Sequence, residues 1–232
     1  MNVHHITPPP AKPIFEIPVP ARLRTLIDES LNFTLEEIYA DRFMGAFGKC
    51  ADYAIVGARV LSKLLDQPYV PVAGGEIIDC GDGMFIVLFP SRTSRRNARN
   101  LSELMEFHCW IQSFHAVPDR KPRLELVDFT VRHDRDSAHA LNVGFTRQPE
   151  ENYLWDWSEE LDREIPPAVR DHPALRGRRK GWMWTDRACT RLLLKYEKEN
   201  DAFFGKLTAL VLNRLADKLE SSAKEGGVGD YK

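Results

Sequence analysis

Asp82 and Gly83 stand between two apolar β-type runs, residues 75–80 and 84–89, and an Asp-Gly pair in that position is the strongest short-range signal for a two-residue hairpin turn. A chain that contains it must build antiparallel sheet around it. Three further runs fit strands: residues 69–73, 103–112 and 123–131, the last two joined by a turn expected around Pro118 and Asp119. Just before them, Ala51, Ala54, Ile55, Ala58, Leu61, Leu64 and Leu65 recur at helical spacing. Small residues gather at the start of that run, which lets a helix pack closely on a sheet. The pattern predicts an α+β fold in which a helix headed by Cys50 packs on an antiparallel β-sheet.

The flanks are helical or irregular. Pro8, Pro9, Pro10, Pro13, Pro18 and Pro20 make residues 1–20 a proline-rich, extended arm. Leu23, Leu26, Ile27 and Leu31 predict one helix. Thr34 to Glu37 reads as a capping box opening a second through Ile38, Tyr39 and Phe43. Toward the C-terminus, helical runs near 189–196 and 202–219 follow, the latter with Phe204, Leu207, Val211 and Leu215 on one stripe. The organisation expected is an arm over 1–20, one domain over 21–220 and a flexible tail over 221–232. The C-terminal stripe is read as core, with a homodimer helix as the alternative.

With 32 Lys+Arg against 34 Asp+Glu the net charge is -2, so no global field draws in nucleic acid or an anionic membrane. No apolar run is long enough to span a bilayer, and prolines interrupt the N-terminus where a signal peptide needs a continuous apolar segment. A cytoplasmic protein is expected. Cys80, Cys109 and Cys189 stand in apolar or helical runs and read as buried hydrophobes rather than a disulfide framework. The absence of C-x-x-C or H-x-x-x-H spacing argues against zinc, and neither metal nor organic cofactor is expected.

Cys50 differs from the other cysteines. It follows a loop containing Gly45 and Gly48 and opens a helix, where unpaired backbone donors and the helix dipole stabilise a thiolate. The same N–H groups suit an oxyanion formed when sulfur attacks a carbonyl. His108 alternates with Cys109 and Ile111 and so faces away from them, while Asp128 shares a strand face with Leu124, Leu126 and Thr130. A carboxylate among leucines needs a donor, and an imidazole on an antiparallel neighbour supplies one. Asp52, on the first turn of the helix, opposes thiolate formation. His115, His133 and His139 are given no role.

The glycine-containing loop into Cys50, the strand ending at Gly74 and Gly75, His108 before Cys109 and Trp110, and Asp128 between Val127 and Phe129 together resemble the transglutaminase-like branch of the papain-like cysteine enzymes. The resemblance spans roughly residues 34–131. It implies a papain-like or transglutaminase-like core with extra N- and C-terminal helices. Cys50 would be nucleophile, His108 general base and acid, and Asp128 the orienting carboxylate. It also implies a peptide, amide or thioester small-molecule substrate, with hydrolysis or acyl transfer as the reaction. No glutamine precedes Cys50 where papain proper has its oxyanion donor, which disfavours papain-type proteolysis. Trp110, Arg95 and Arg96 are the weaker candidates for substrate contact, the arginines from a basic segment over 92–99 read as a loop. The alternative reading is a non-enzymatic binding module that keeps the fold.

Overall fold

The computed structural model describes residues 17–116, 121–149 and 151–226. Most of the proline-rich arm and the turn expected around Pro118 and Asp119 lie outside the described residues. The chain enters on α1 (Ala21–Ile38), one helix where the sequence suggested two. No glycine or proline interrupts it, and Ile27, Leu31 and Leu35 continue a single fully buried stripe. Thr34 caps nothing. Its hydroxyl donates to the Ser30 carbonyl at 2.8 Å, as a threonine inside a helix does.

Gly45 and Gly48 take φ of 53° and 71°, left-handed values that glycine adopts without a Cβ penalty, and turn the chain into α2 (Cys50–Leu65). A Cβ added at Gly57 would meet Ile111 Cδ1 at 2.7 Å and Phe129 Cε2 at 2.9 Å. The small residues of α2 therefore seat the helix directly on the sheet.

The sheet begins with β1 (Val70–Gly81) and β2 (Met84–Leu88), the hairpin expected around Asp82 and Gly83. Two separate runs were expected where β1 is one strand. Gly74 and Gly75 do not break it, and they admit a neighbouring strand so closely that a Cβ at Gly74 would lie 1.9 Å from the Trp184 carbonyl oxygen. Next come α3 (Arg92–Asn97), where a loop was read, then β3 (His108–His115) and β4 (Arg123–Asp128). Ser91 caps α3 by accepting from Ser94 N at 3.1 Å. β3 starts later than expected because Glu106 takes φ 58°, which ends extended pairing before His108.

The stretch beyond Arg132, which the pattern left open, supplies α4 (Asp134–Ala140), β5 (Leu154–Trp157), α5 (Ser158–Leu161), β6 (Met183–Thr185), α6 (Arg187–Glu199) and α7 (Asp201–Gly226). All pairings among the six strands are antiparallel: β1 with β2, β3 and β6, β3 with β4, and β4 with β5. The architecture is α+β. Among the described residues no helix is long and apolar enough to cross a membrane.

The main core lies between one face of the sheet and α1, α2, α6 and α7, with Cys109, Ile111 and Val127 from the strands. Phe204, Leu207, Val211 and Leu215 are all buried in it, so that stripe is occupied within the chain. α7 continues to Gly226, and the first residues assigned to a flexible tail are helical. On the other sheet face Val72, Trp110 and Leu126 pack beneath Leu161 and Met183. Cys80, Cys109 and Cys189 are free and buried.

Candidate active site

Three element ends meet here. Cys50 is the first residue of α2, His108 the first of β3 and Asp128 the last of β4. Antiparallel pairing of β3 with β4, with Ile111 opposite Val127, brings His108 and Asp128 to the same edge. His108 Nε2 lies 2.7 Å from Asp128 Oδ2. The other carboxylate oxygen accepts from Thr130 N at 2.8 Å and from the Thr130 hydroxyl at 2.6 Å. Asp128 is thus fixed from both sides, and it fixes the ring. Cys50, which is partly exposed, and His108 line one cavity of 160 Å³ together with Glu76, Thr130, His133 and Asp134.

The electrostatics of the group are strongly coupled. Burial alone would lower the pKa of His108, but the charges of Glu76 and Asp128 hold it well above the ordinary imidazole value. Burial would likewise raise Asp128, and the His108 charge and hydrogen bond keep it below the usual carboxylate range. Both shifts favour the charged forms, an imidazolium beside a carboxylate. At Cys50 the largest influence is the Cys109 thiol, which donates toward the Cys50 sulfur and lowers its pKa. Burial opposes this and the His108 charge adds to it. Cys109 itself is pushed well up, first by burial and then by its neighbour.

Sequence reasoning missed three cavity residues. Glu76 Oε2 lies 3.3 Å from His108 Nδ1, on the ring nitrogen not used by Asp128, yet it makes no hydrogen bond among the described residues. Burial pushes this carboxyl well up, with His108 opposing. Asp134 is pushed up to about 7 by burial, with the Asp128 charge adding. His133, set aside as a loop histidine, lines the cavity with its Nε2 buried and unpartnered among the described residues. The signal for Glu76 was present: β1 places Gly74 opposite His108, and Glu76, two residues on, shares that strand face. His133 and Asp134 follow β4 in a short helical turn that no periodicity announces.

Glu76, His108 and Asp128 present ligand atoms within 4.8 Å of one another. A cation held there would bind the neutral imidazole and displace the proton from His108.

The other candidates sit elsewhere. Trp110 stacks on His108, ring centroids 6.0 Å apart at 12°, but does not line the Cys50 cavity. Arg95 pairs with Asp186 at 2.7 Å and lies 4.4 Å from the Phe89 ring centroid. Asp186 caps α6, accepting from Ala188 N and Cys189 N, so Arg95 braces that cap. Arg96 lines a separate cleft with Arg99, Arg191 and Lys195. Asp52 is buried and accepts from the Tyr39 hydroxyl and, at 3.1 Å, from Tyr196. Burial raises its pKa, with the Tyr39 and Tyr196 hydrogen bonds opposing. His115 belongs to a buried network in which Glu125 also holds Tyr69 and Trp155.

No family model and no curated protein matches the chain. A crystal structure of a genomics target aligns with 84% of this chain and 79% of its own, at 15% identity and a TM-score of 0.40, a likeness that carries no argument about fold or function.

Proposed function

We propose that Cys50, His108 and Asp128 act as a Cys-His-Asp triad on a papain-like or transglutaminase-like core, catalysing amide or thioester hydrolysis or acyl transfer. The observation that carries this reading is the lining of one cavity by Cys50 and by an imidazole whose Nε2 is held 2.7 Å from a buried carboxylate. With Nε2 on Asp128, Nδ1 is the ring atom that would serve the thiol, and Glu76 Oε2 lies 3.3 Å from it. In the reaction the Cys50 thiolate attacks the carbonyl, and N–H groups at the start of α2 receive the developing oxyanion. His108 protonates the leaving amine or thiol as the tetrahedral adduct collapses, and water or an amine then releases the acyl group. Short-chain thioesters and activated amides are the substrates to screen, with mass spectrometry of the intact protein. Acylation of Cys50 that is lost in Cys50→Ala and slowed at least a hundredfold in His108→Ala supports the triad, and turnover indifferent to both removes it.

One observation favours a second reading, a binding module that has retired its chemistry. Glu76 Oε2 faces the same Nδ1 that the thiolate would use. In that case Glu76, not Cys50, is the partner of the imidazolium, and thiol reactivity is ordinary in the wild type and rises in Glu76→Gln.

A further inference from the structure

One thiol beside Cys50 has no part in the acyl chemistry. His108 and Cys109 are consecutive in β3 and point to opposite sides of the sheet, the imidazole toward the thiol cavity and the sulfur into the main core. Cys50 meets both, because it lines that cavity and also packs against the core cluster that holds Cys109. The seating of α2 dictates this approach. Gly57, about two turns along the helix, lies against Ile111, where an added Cβ would stand 2.7 Å from Cδ1, and Ile111 shares its strand face with Cys109. Cys50 therefore comes down beside the first core-facing residue of β3, and both the thiol and the backbone N–H of Cys109 donate toward its sulfur. Both cysteines are free, and Cys109 is 1% exposed. The remaining two are engaged elsewhere, since the Cys189 thiol donates to Asp186 and Cys80 belongs to a separate cluster with Ile78, Ile86 and Ala138.

We propose that Cys109 is the resolving cysteine for Cys50, so that a hydroperoxide converts the pair to a Cys50–Cys109 disulfide and switches the site off reversibly. The Cys50 thiolate attacks one oxygen of the peroxide. An S–O bond forms, the O–O bond breaks and hydroxide leaves, so the sulfur is oxidised to a sulfenic acid as the peroxide is reduced. The Cys109 sulfur then attacks Cys50, forming the S–S bond and breaking the S–O bond, and the departing hydroxyl takes up the Cys109 proton as water. A small dithiol restores both thiols by exchange. An oxidised cysteine with no neighbouring thiol goes on to sulfinic acid, which is not recovered. Cys109 already faces the sulfur and needs no access of its own from solvent. This switch rests on the reading of Cys50 as a reactive thiol and is independent of which acyl group the site handles.

The test is mass spectrometry of the full chain after treatment with hydrogen peroxide, with peptide mapping under non-reducing conditions. The expected wild-type product has lost a pair of hydrogens, carries Cys50 and Cys109 in one cross-linked peptide, resists alkylation at Cys50, and returns to its starting mass with dithiothreitol. Cys109→Ala should instead carry sulfinic or sulfonic acid at Cys50, beyond recovery by dithiothreitol and about tenfold or more above the wild-type level. Cys50→Ala should form no disulfide. A wild-type Cys50 that is alkylated by iodoacetamide yet ends as sulfinic acid, or a disulfide that joins either cysteine to Cys80 or Cys189, overturns the switch and leaves the thiol reading standing. A Cys50 inert to both peroxide and iodoacetamide overturns both. The wild-type peptide map decides the matter even where Cys109→Ala fails to fold.

Discussion

Replacing Asp128 separates its three hydrogen bonds from its charge. The carboxylate is held at 2.7 Å by His108 and at 2.8 and 2.6 Å by the Thr130 amide and hydroxyl, and the residue is 2% exposed. Asp128→Ala removes every acceptor and leaves His108 charged and buried, which costs about 3–5 kcal/mol. Asp128→Asn keeps the oxygen that serves Thr130 and loses only the charged bond to the ring, about 1.5–3 kcal/mol. The folded pKa of Asp128 is depressed, so its contribution is present above the unfolded value of about 3.9 and is lost as pH falls through the folded value. The folded pKa of His108 is raised, so its contribution is complete below the unfolded value of about 6.5 and is lost as pH rises through the folded value. The stability gap between wild type and Asn variant is therefore widest between roughly pH 4 and 6.5. Urea denaturation followed by tryptophan fluorescence at a series of pH values measures it. Equal losses in the two variants, a loss below about 1 kcal/mol in Asp128→Ala, or a gap that widens toward pH 9 would refute the reasoning.

Gly57→Val places atoms where Ile111 and Phe129 already stand and should cost about 1–3 kcal/mol by overpacking; a thermal midpoint equal to wild type would show that α2 has room to lift. Asp134, pushed up to about 7 by burial, is an acid whose folded pKa exceeds its unfolded one, so its penalty on the fold builds as pH rises from about 3.9 to about 7 and is complete above that. Asp134→Asn should be more stable than wild type at pH 8, with the advantage gone by about pH 4, and denaturation at the two pH values checks the sign.

What the sequence showed of this molecule was what short-range rules govern. The Asp82–Gly83 turn, the Cys50 helix and the alternation that sends Cys109 and Ile111 to the core while His108 and Trp110 face the other way all follow from local spacing. Two glycines misled, because Gly74 and Gly75 read as a break and serve instead to admit β6. At Thr34 a local capping pattern lost to the continuous stripe of Ile27, Leu31 and Leu35. The cavity was legible only in part. Cys50 could be named from its place at a helix start and His108 and Asp128 from strand alternation and the family resemblance, whereas Glu76 and Asp134 join the cavity only through the tertiary approach of β1 and α4. The Arg95 to Asp186 pair spans segments far apart in sequence, which is why a structural brace read as a solvated loop.

The most direct test of the central claim is the rate of Cys50 alkylation by iodoacetamide across pH, read by mass spectrometry in wild type and in His108→Ala. A reactive thiol paired with the imidazolium predicts an inflection well below the ordinary value of about 8.5 in the wild type and its disappearance in the variant. An ordinary inflection in both proteins, or a thiol inert in both, would contradict it.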